Sequence, residues 1–151
     1  MNLAENIKAI LTEQVIGYRT LVDILRQERE CLVCFNPAGV ETLSKEKDTI
    51  VLKLKLLEEE RIRLVRAFVA DHAVADKSAF QKLSEMTGDD SFQRLRLQLI
   101  SLLQGVMELN EFNRVLIERS SSMVRNALSF LGSLGVNLNT SSKGTHFSRE
   151  A

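Results

Sequence analysis

Two heptad stripes, arranged as mirror images around a single turn, constrain the fold of this chain more than any other feature of its sequence. Both stripes advance by alternating steps of three and four residues, the pattern of helices that pack in a left-handed supercoil. The stripe before the turn contains Ile7, Leu11, Gln14, Tyr18, Leu21, Leu25, Glu28, Leu32 and Phe35. The stripe after it contains Val40, Leu43, Lys47, Ile50, Leu54, Leu57, Arg61, Leu64 and Phe68. The sequence therefore predicts a long antiparallel helical hairpin.

The polar residues within these stripes predict how the two helices are paired. If the chain reverses at residues 36–37, an Asn-Pro dipeptide, then residues whose numbers add up to 75 lie opposite each other. Glu28 then faces Lys47, and Gln14 faces Arg61. Polar residues at seam positions fix register at some cost in stability. We therefore expect Glu28 to contact Lys47, and Gln14 to contact Arg61, in the folded hairpin.

A third long helix is predicted after a connector. Its stripe holds the same spacing over thirteen positions: Phe92, Leu95, Leu99, Leu102, Val106, Leu109, Asn113, Leu116, Ser120, Met123, Ala127, Phe130 and Leu134. We expect helices over about 3–35, 37–71 and 92–134, with a short connector helix over 78–86. The fold class is therefore all-α, a three-helix extended bundle or coiled coil. Residues 1–135 are predicted to form this single bundle, and 136–151, rich in Asn, Ser, Thr and Gly, a disordered polar tail.

Composition excludes several classes of function. The chain has 20 basic and 20 acidic residues, and this neutral balance argues against a nucleic-acid binder. Early acidic residues and the lack of a long apolar run argue against a signal peptide or a membrane span, so we expect a cytoplasmic protein. Cys31 and Cys34 form a single C-x-x-C, and the two histidines, His72 and His146, are too far apart to complete a zinc site. We expect no metal, no cofactor, no catalytic residue and no enzymatic activity.

The third helix changes character near its end. From Ser120 to Ser142 the only charged residue is Arg125, and a second apolar stripe begins beside the first. At 1.5 Å per residue this helix is also longer than either helix of the hairpin, so its last turns should project beyond them. Exposed apolar surface on a protein usually marks a partner site. We predict that the partner-binding residues are Ile117, Met123, Val124, Ala127, Leu128, Phe130, Leu131 and Leu134.

Several motifs in this order resemble those of FlgN-type flagellar export chaperones. The second helix contains Leu-Ser-Lys-Glu-Lys at residues 43–47 and a Leu-Glu-x-x-Arg stretch, and the third contains Asn-x-x-Asn followed by paired aliphatic residues. The resemblance covers about residues 5–131. The motif residues in this chain are Glu46, Lys47, Leu57, Glu58, Arg61, Asn110 and Asn113.

The resemblance implies a chaperone that holds hook-associated, or hook–filament junction, proteins before flagellar type III export. It implies that the C-terminal helical region receives the C-terminal amphipathic helix of the client, with the export apparatus as a further candidate partner. The sequence leaves the oligomeric state open between a monomer and a homodimer. The alternative function is a structural or scaffolding coiled coil that self-associates through the same C-terminal helix.

Overall fold

The computed structural model describes residues 2–135, and in this range the chain is all-α. The predicted disordered tail, 136–151, lies outside the described residues. Four α-helices follow one another, with a single 3-10 turn before the third: α1 (Leu3–Val33), α2 (Pro37–His72), the turn (Asp76–Ser78), α3 (Ala79–Thr87) and α4 (Ser91–Ser133). The predicted hairpin, connector helix and third long helix are confirmed.

The hairpin turn forms where the Asn-Pro dipeptide predicted it. Asn36 precedes α2 as its N-cap, and its Oδ1 accepts a hydrogen bond of 3.0 Å from the backbone N–H of Gly39. Pro37 is the first helical residue, where the N–H it lacks would have no helical partner. The expectation that Phe35 belongs to the seam is wrong. The helix ends at Val33, and Phe35 lies in the turn with a φ of +52° and is 58% exposed.

The first helix is the centre of the bundle. It packs against both α2 and α4, whereas no extensive contact joins α2 to α4 within the described residues. One buried cluster lies near the open end of the hairpin: Ile7, Leu11, Leu64, Phe68, Leu83 and Phe92. A second lies midway along it: Leu21, Val22, Leu25, Leu54 and Val106. Each cluster draws residues from α1, α2 and α4, so burial of apolar area holds the three helices together.

A close approach of α1 and α2 depends on Gly17, which belongs to neither predicted stripe. Gly17 is buried, and a Cβ added there would lie 2.7 Å from Cδ2 of Leu54. That distance is shorter than a carbon–carbon contact allows, so any side chain at position 17 would displace Leu54. Gly17 therefore lets the two helices pack closely between the two buried clusters.

Glu28 joins all three long helices through its carboxylate. Lys47 of α2 donates a hydrogen bond of 2.7 Å to Oε2, and Asn113 of α4 donates one of 3.0 Å to Oε1. The same Asn113 amide also donates to the backbone carbonyl of Leu25 at 3.0 Å. Glu28 and Asn113 are 3% and 2% exposed. The predicted pairing of Glu28 with Lys47 is confirmed, and Asn113 is an additional partner.

The predicted direct contact between Gln14 and Arg61 is wrong. Gln14 does not bond to Arg61; instead its Nε2 donates to Oε2 of Glu58 at 2.8 Å, and Arg61 Nε donates to the same oxygen at 2.8 Å. Arg61 folds back along α2 to a residue three positions earlier, which places the Glu58 carboxylate between the two predicted partners. The hydrogen bond from Arg61 lowers the pKa of Glu58, burial opposes this shift, and the bond from Gln14 adds to it.

The start of α4 is fixed to α1 by an aspartate. Asp89 accepts a hydrogen bond of 2.7 Å from Lys8, and it also accepts bonds from the backbone N–H and hydroxyl of Ser91. The Lys8 ammonium and these bonds from Ser91 hold the pKa of the Asp89 carboxyl well below its usual range. Because Ser91 begins α4, these contacts fix where that helix starts beside α1.

Replacing Lys47 by Met should lower the free energy of unfolding by about 3 kcal/mol, because it leaves the buried Glu28 carboxylate without its cation. Combining it with Glu28→Gln should recover much of this loss, because no unpaired charge then remains. Urea denaturation followed by circular dichroism measures both. Lys45→Met is the matched control, since Lys45 is an exposed lysine of the same helix. Strictly additive costs in the double mutant would contradict the pairing.

The Glu58 carboxylate should make the free energy of unfolding depend on pH. Because its pKa is lowered in the folded chain, its stabilisation is complete above the unfolded pKa, about 4.3, and is lost as the pH falls through the lower folded value. Glu58→Gln should therefore melt below the wild type near pH 7, and the difference should narrow towards about pH 3. The control is Glu59→Gln, an exposed neighbour. A difference between Glu58→Gln and wild type that stays constant with pH would contradict this.

Candidate functional site

The C-terminal part of α4 leaves the bundle. This helix runs parallel to α1, because Phe92 at its start packs beside Ile7 and Asn113 farther along bonds to Glu28. With 43 residues against 31 in α1, α4 is about 64 Å long and α1 about 46 Å. Arg125 is the last residue of α4 that lines the cleft at the hairpin turn. Residues 126–133 continue the helix beyond it for about 12 Å. We call residues 120–134 the apolar segment.

Seven of the eight predicted partner-binding residues lie in the apolar segment, and the eighth, Ile117, lies just before it. Three residues of the predicted α4 stripe show how burial ends: Asn113 is 2% exposed, whereas Met123 is 58% and Phe130 63% exposed. Two of the eight, Ile117 and Leu131, are half-buried. The other six are exposed: Met123, Val124, Ala127, Leu128, Phe130 and Leu134. The helix therefore presents two adjacent rows of apolar side chains with little protein against them.

A cleft of about 460 Å³ lies where the apolar segment meets the hairpin turn. We call it the turn cleft. The hairpin contributes Cys31, Leu32, Phe35, Asn36, Pro37 and Val40. From α4 come Ser120, Ser121, Val124 and Arg125. Most of these lining groups are apolar, and the two serines leave the space that larger seam residues would fill.

Sequence reasoning placed Val124 in the site but missed the hairpin side of the cleft. The residues that were missed belong to the hairpin turn, which is far from α4 in sequence. The nearby contact between Glu28 and Asn113 likewise joins residues 85 positions apart. One signal was present: the stripe of α4 changes from Leu116 to Ser120 at the level where the hairpin ends. A small polar residue at a seam position, next to an exposed Phe35, indicates a gap between helices.

Arg125 is the only charged residue of α4 from Ser120 onward, and it lines the turn cleft. Its Nη2 donates a hydrogen bond of 3.3 Å to the Ser122 hydroxyl. No carboxylate of residues 2–135 lies within ion-pairing distance of its guanidinium. Arg114, about three turns earlier, instead pairs with both Glu111 and Glu118. The cleft thus combines an apolar lining with one cation at its edge.

The motif residues do not line this surface. Lys47 and Asn113 meet at Glu28 inside the bundle, and Glu58 pairs with Arg61 beside Gln14. The remaining three are Leu57, half-buried next to the second buried cluster, and the exposed Glu46 and Asn110. Most of these residues therefore build the bundle that carries the apolar segment, and none contributes a side chain to the turn cleft.

A second cleft, of about 540 Å³, lies between α2 and α4 over α1. Its lining is mixed, with the paired Glu58 and Arg61 on one side and the aliphatic Leu99, Ile100 and Leu103 on the other. Tyr18 also lines it, and burial, with a smaller contribution from the nearby Glu58, raises the pKa of this phenol. A neutral phenol and a salt-bridged carboxylate are poor acid–base groups, so the cleft offers no evident catalytic chemistry.

Within residues 2–135, no group of three or more His, Cys, Asp or Glu side chains is arranged to hold a metal ion. None of the helices in this range combines the length and apolar character needed to cross a membrane.

Comparison with known proteins gives one family. A family model described as "FlgN protein" matches residues 1–143, nearly all of the 151-residue chain. No curated protein and no solved structure matches the chain significantly.

Proposed function

The chain belongs to the FlgN family of flagellar export chaperones, and we propose that its clients are hook–filament junction proteins held by their C-terminal amphipathic helices. The observation that carries this proposal is the exposed apolar segment at the end of α4, residues 120–134. Contiguous apolar surface of this kind, bordered by polar residues, is typical of sites that receive a partner. A helix that carries its own apolar stripe is the partner that matches a helical surface.

The binding would be hydrophobic. An amphipathic client helix lays its apolar face along the two rows of the segment, and water leaves both surfaces. Met123 adapts to different side chains because its thioether chain is flexible, while Phe130 and Leu134 supply large exposed contacts. Since the segment carries one charge, little free energy is lost in desolvating ions. Covering the client helix in this way would keep the client from assembling before export.

The proposed function also sets the cellular context. A chaperone that holds clients before export works in the cytoplasm, and the flagellar export apparatus is a further candidate partner. Neither nucleic acid nor a membrane has a role in this scheme. The FlgN family is a chaperone family, so we propose no enzymatic reaction.

A structural coiled coil is the alternative, because the same exposed rows could pair two copies of the chain. Light scattering on the purified full chain separates the two. We expect a monomer of about 17.0 kDa, with the apolar segment accessible to a client. A stable dimer that Leu128→Asp dissociates would favour self-association instead.

Replacing Leu128 by Asp should reduce client affinity at least about tenfold, because it puts a charge in the middle of the apolar face. Leu128 is 45% exposed, so the melting temperature should change little. Leu97→Asp is the matched control: Leu97 is a 61% exposed leucine of the same helix outside the segment. Calorimetric titration with a junction protein measures the affinities.

Truncation after Arg119 provides an independent check, since it removes the whole segment and keeps the Glu28–Asn113 contact. The shortened chain should stay helical and lose client binding. If Leu128→Asp and the truncated chain both bind the client as the wild type does, the site lies elsewhere, and the cleft between α2 and α4 is the next candidate.

A further inference from the structure

We propose that the turn cleft binds the free C-terminal carboxylate of the client helix, with Arg125 as its cation, so that the client helix lies antiparallel to α4. This inference rests on the proposed function and goes beyond it. It identifies a chemical group of the client, a position for that group and a direction for the helix.

The charge at the turn cleft is the first observation. None of the residues that line the cleft is acidic, and the Arg125 guanidinium has no carboxylate partner among residues 2–135. Within residues 2–135 the guanidinium makes one hydrogen bond, 3.3 Å to the Ser122 hydroxyl, which uses one of its donors. A guanidinium presents paired N–H groups in a fixed plane, which suits a carboxylate. The group that complements this site is therefore an anion attached to an apolar body.

The place of the cleft along α4 is the second observation. Ser120, Ser121 and Val124 line it at the start of the exposed rows, and Phe130 and Leu134 lie at the other end. A client helix that covers these rows therefore brings one of its ends to the turn cleft. The hairpin turn, with Pro37 and Phe35, forms a wall there.

The positive charge of Arg125 determines which end of the client helix enters the turn cleft. A helix C-terminus carries the negative end of the macrodipole, and the last residue of a protein adds a carboxylate. An N-terminal end would bring positive charge against Arg125. Since the proposed client segment is C-terminal, its terminal carboxylate is close enough to the helix to reach the cleft. The helix then runs from Leu134 back towards Ser120, opposite to α4.

The test uses two synthetic peptides of the last residues of a junction protein, about 20 of them, or about 30 Å of helix. One has a free C-terminal carboxylate and the other a C-terminal amide. Calorimetric titration of the full-length chain should give about tenfold tighter binding of the acid form, because the amide cannot form the ion pair with Arg125. Raising the salt concentration should narrow the difference in affinity between the acid and amide peptides, because salt screens the ion pair.

Arg125→Gln should bind both peptides equally, at the affinity of the wild type for the amide. Arg119→Gln is the matched control, because Arg119 is an exposed arginine of the same helix that does not line the cleft. It should keep the preference for the acid form. Because both arginines are exposed, circular dichroism should show the same fold for each variant.

The remaining outcomes overturn the inference in distinguishable ways. If wild type binds both peptides with equal affinity, the carboxylate is not recognised, although the proposed function stands. If Arg125→Gln weakens both peptides alike, the anion is a side chain of the client and not its terminus. If Arg125→Gln strengthens both, a carboxylate of this chain itself occupies the cleft. If neither peptide binds the wild type, the proposed function fails together with the inference.

Discussion

The buried carboxylate of Glu28 is the constraint on which the arrangement of the three long helices depends. A carboxylate in a protein interior is tolerated only with hydrogen-bond partners and a compensating charge. Lys47 supplies the charge from α2, and Asn113 supplies a further donor from α4. The apolar stripes alone repeat every seven residues and would accept a shift by one heptad. Such a shift of α2 would place Leu54 beside Glu28 and leave its charge unpaired. The same shift of α4 would place Val106 there and remove the donor that Asn113 supplies.

The register set at Glu28 also determines where the partner surface begins. Because Asn113 is fixed beside Glu28, the end of α1 at Val33 falls near Ser120 of α4. The turn cleft and the exposed rows follow from that alignment. The polar pairs of the bundle and the apolar segment thus have separate roles: the pairs hold α4 in place, and the segment is left available. The segment stays helical without packing partners because extending an existing helix is far easier than starting one.

The sequence predicted the helices and the Glu28–Lys47 pair because heptad spacing and the Asn-Pro turn together fix which backbone positions face each other. It failed where the outcome depends on side-chain length or on distant segments. The pairing rule placed Gln14 opposite Arg61, but the long guanidinium reaches back to Glu58, and Gln14 bonds to that same carboxylate. The stripe extended to Phe35, although the turn requires the helix to end at Val33. The turn cleft could not be predicted, because it needs the register of α4 against a turn far away in sequence.

The single charge of the apolar segment bears on the choice between a client and a second copy of this chain. Two copies paired through their segments would bury apolar area, but residues 120–142 contain no carboxylate to offer Arg125. A guanidinium covered without an anion loses hydration and gains nothing in return, so it disfavours that pairing. A client helix that ends in a carboxylate meets the same surface without this penalty. One arginine at the edge of an otherwise apolar surface can therefore allow hydrophobic binding of a client and discourage self-association through the same residues.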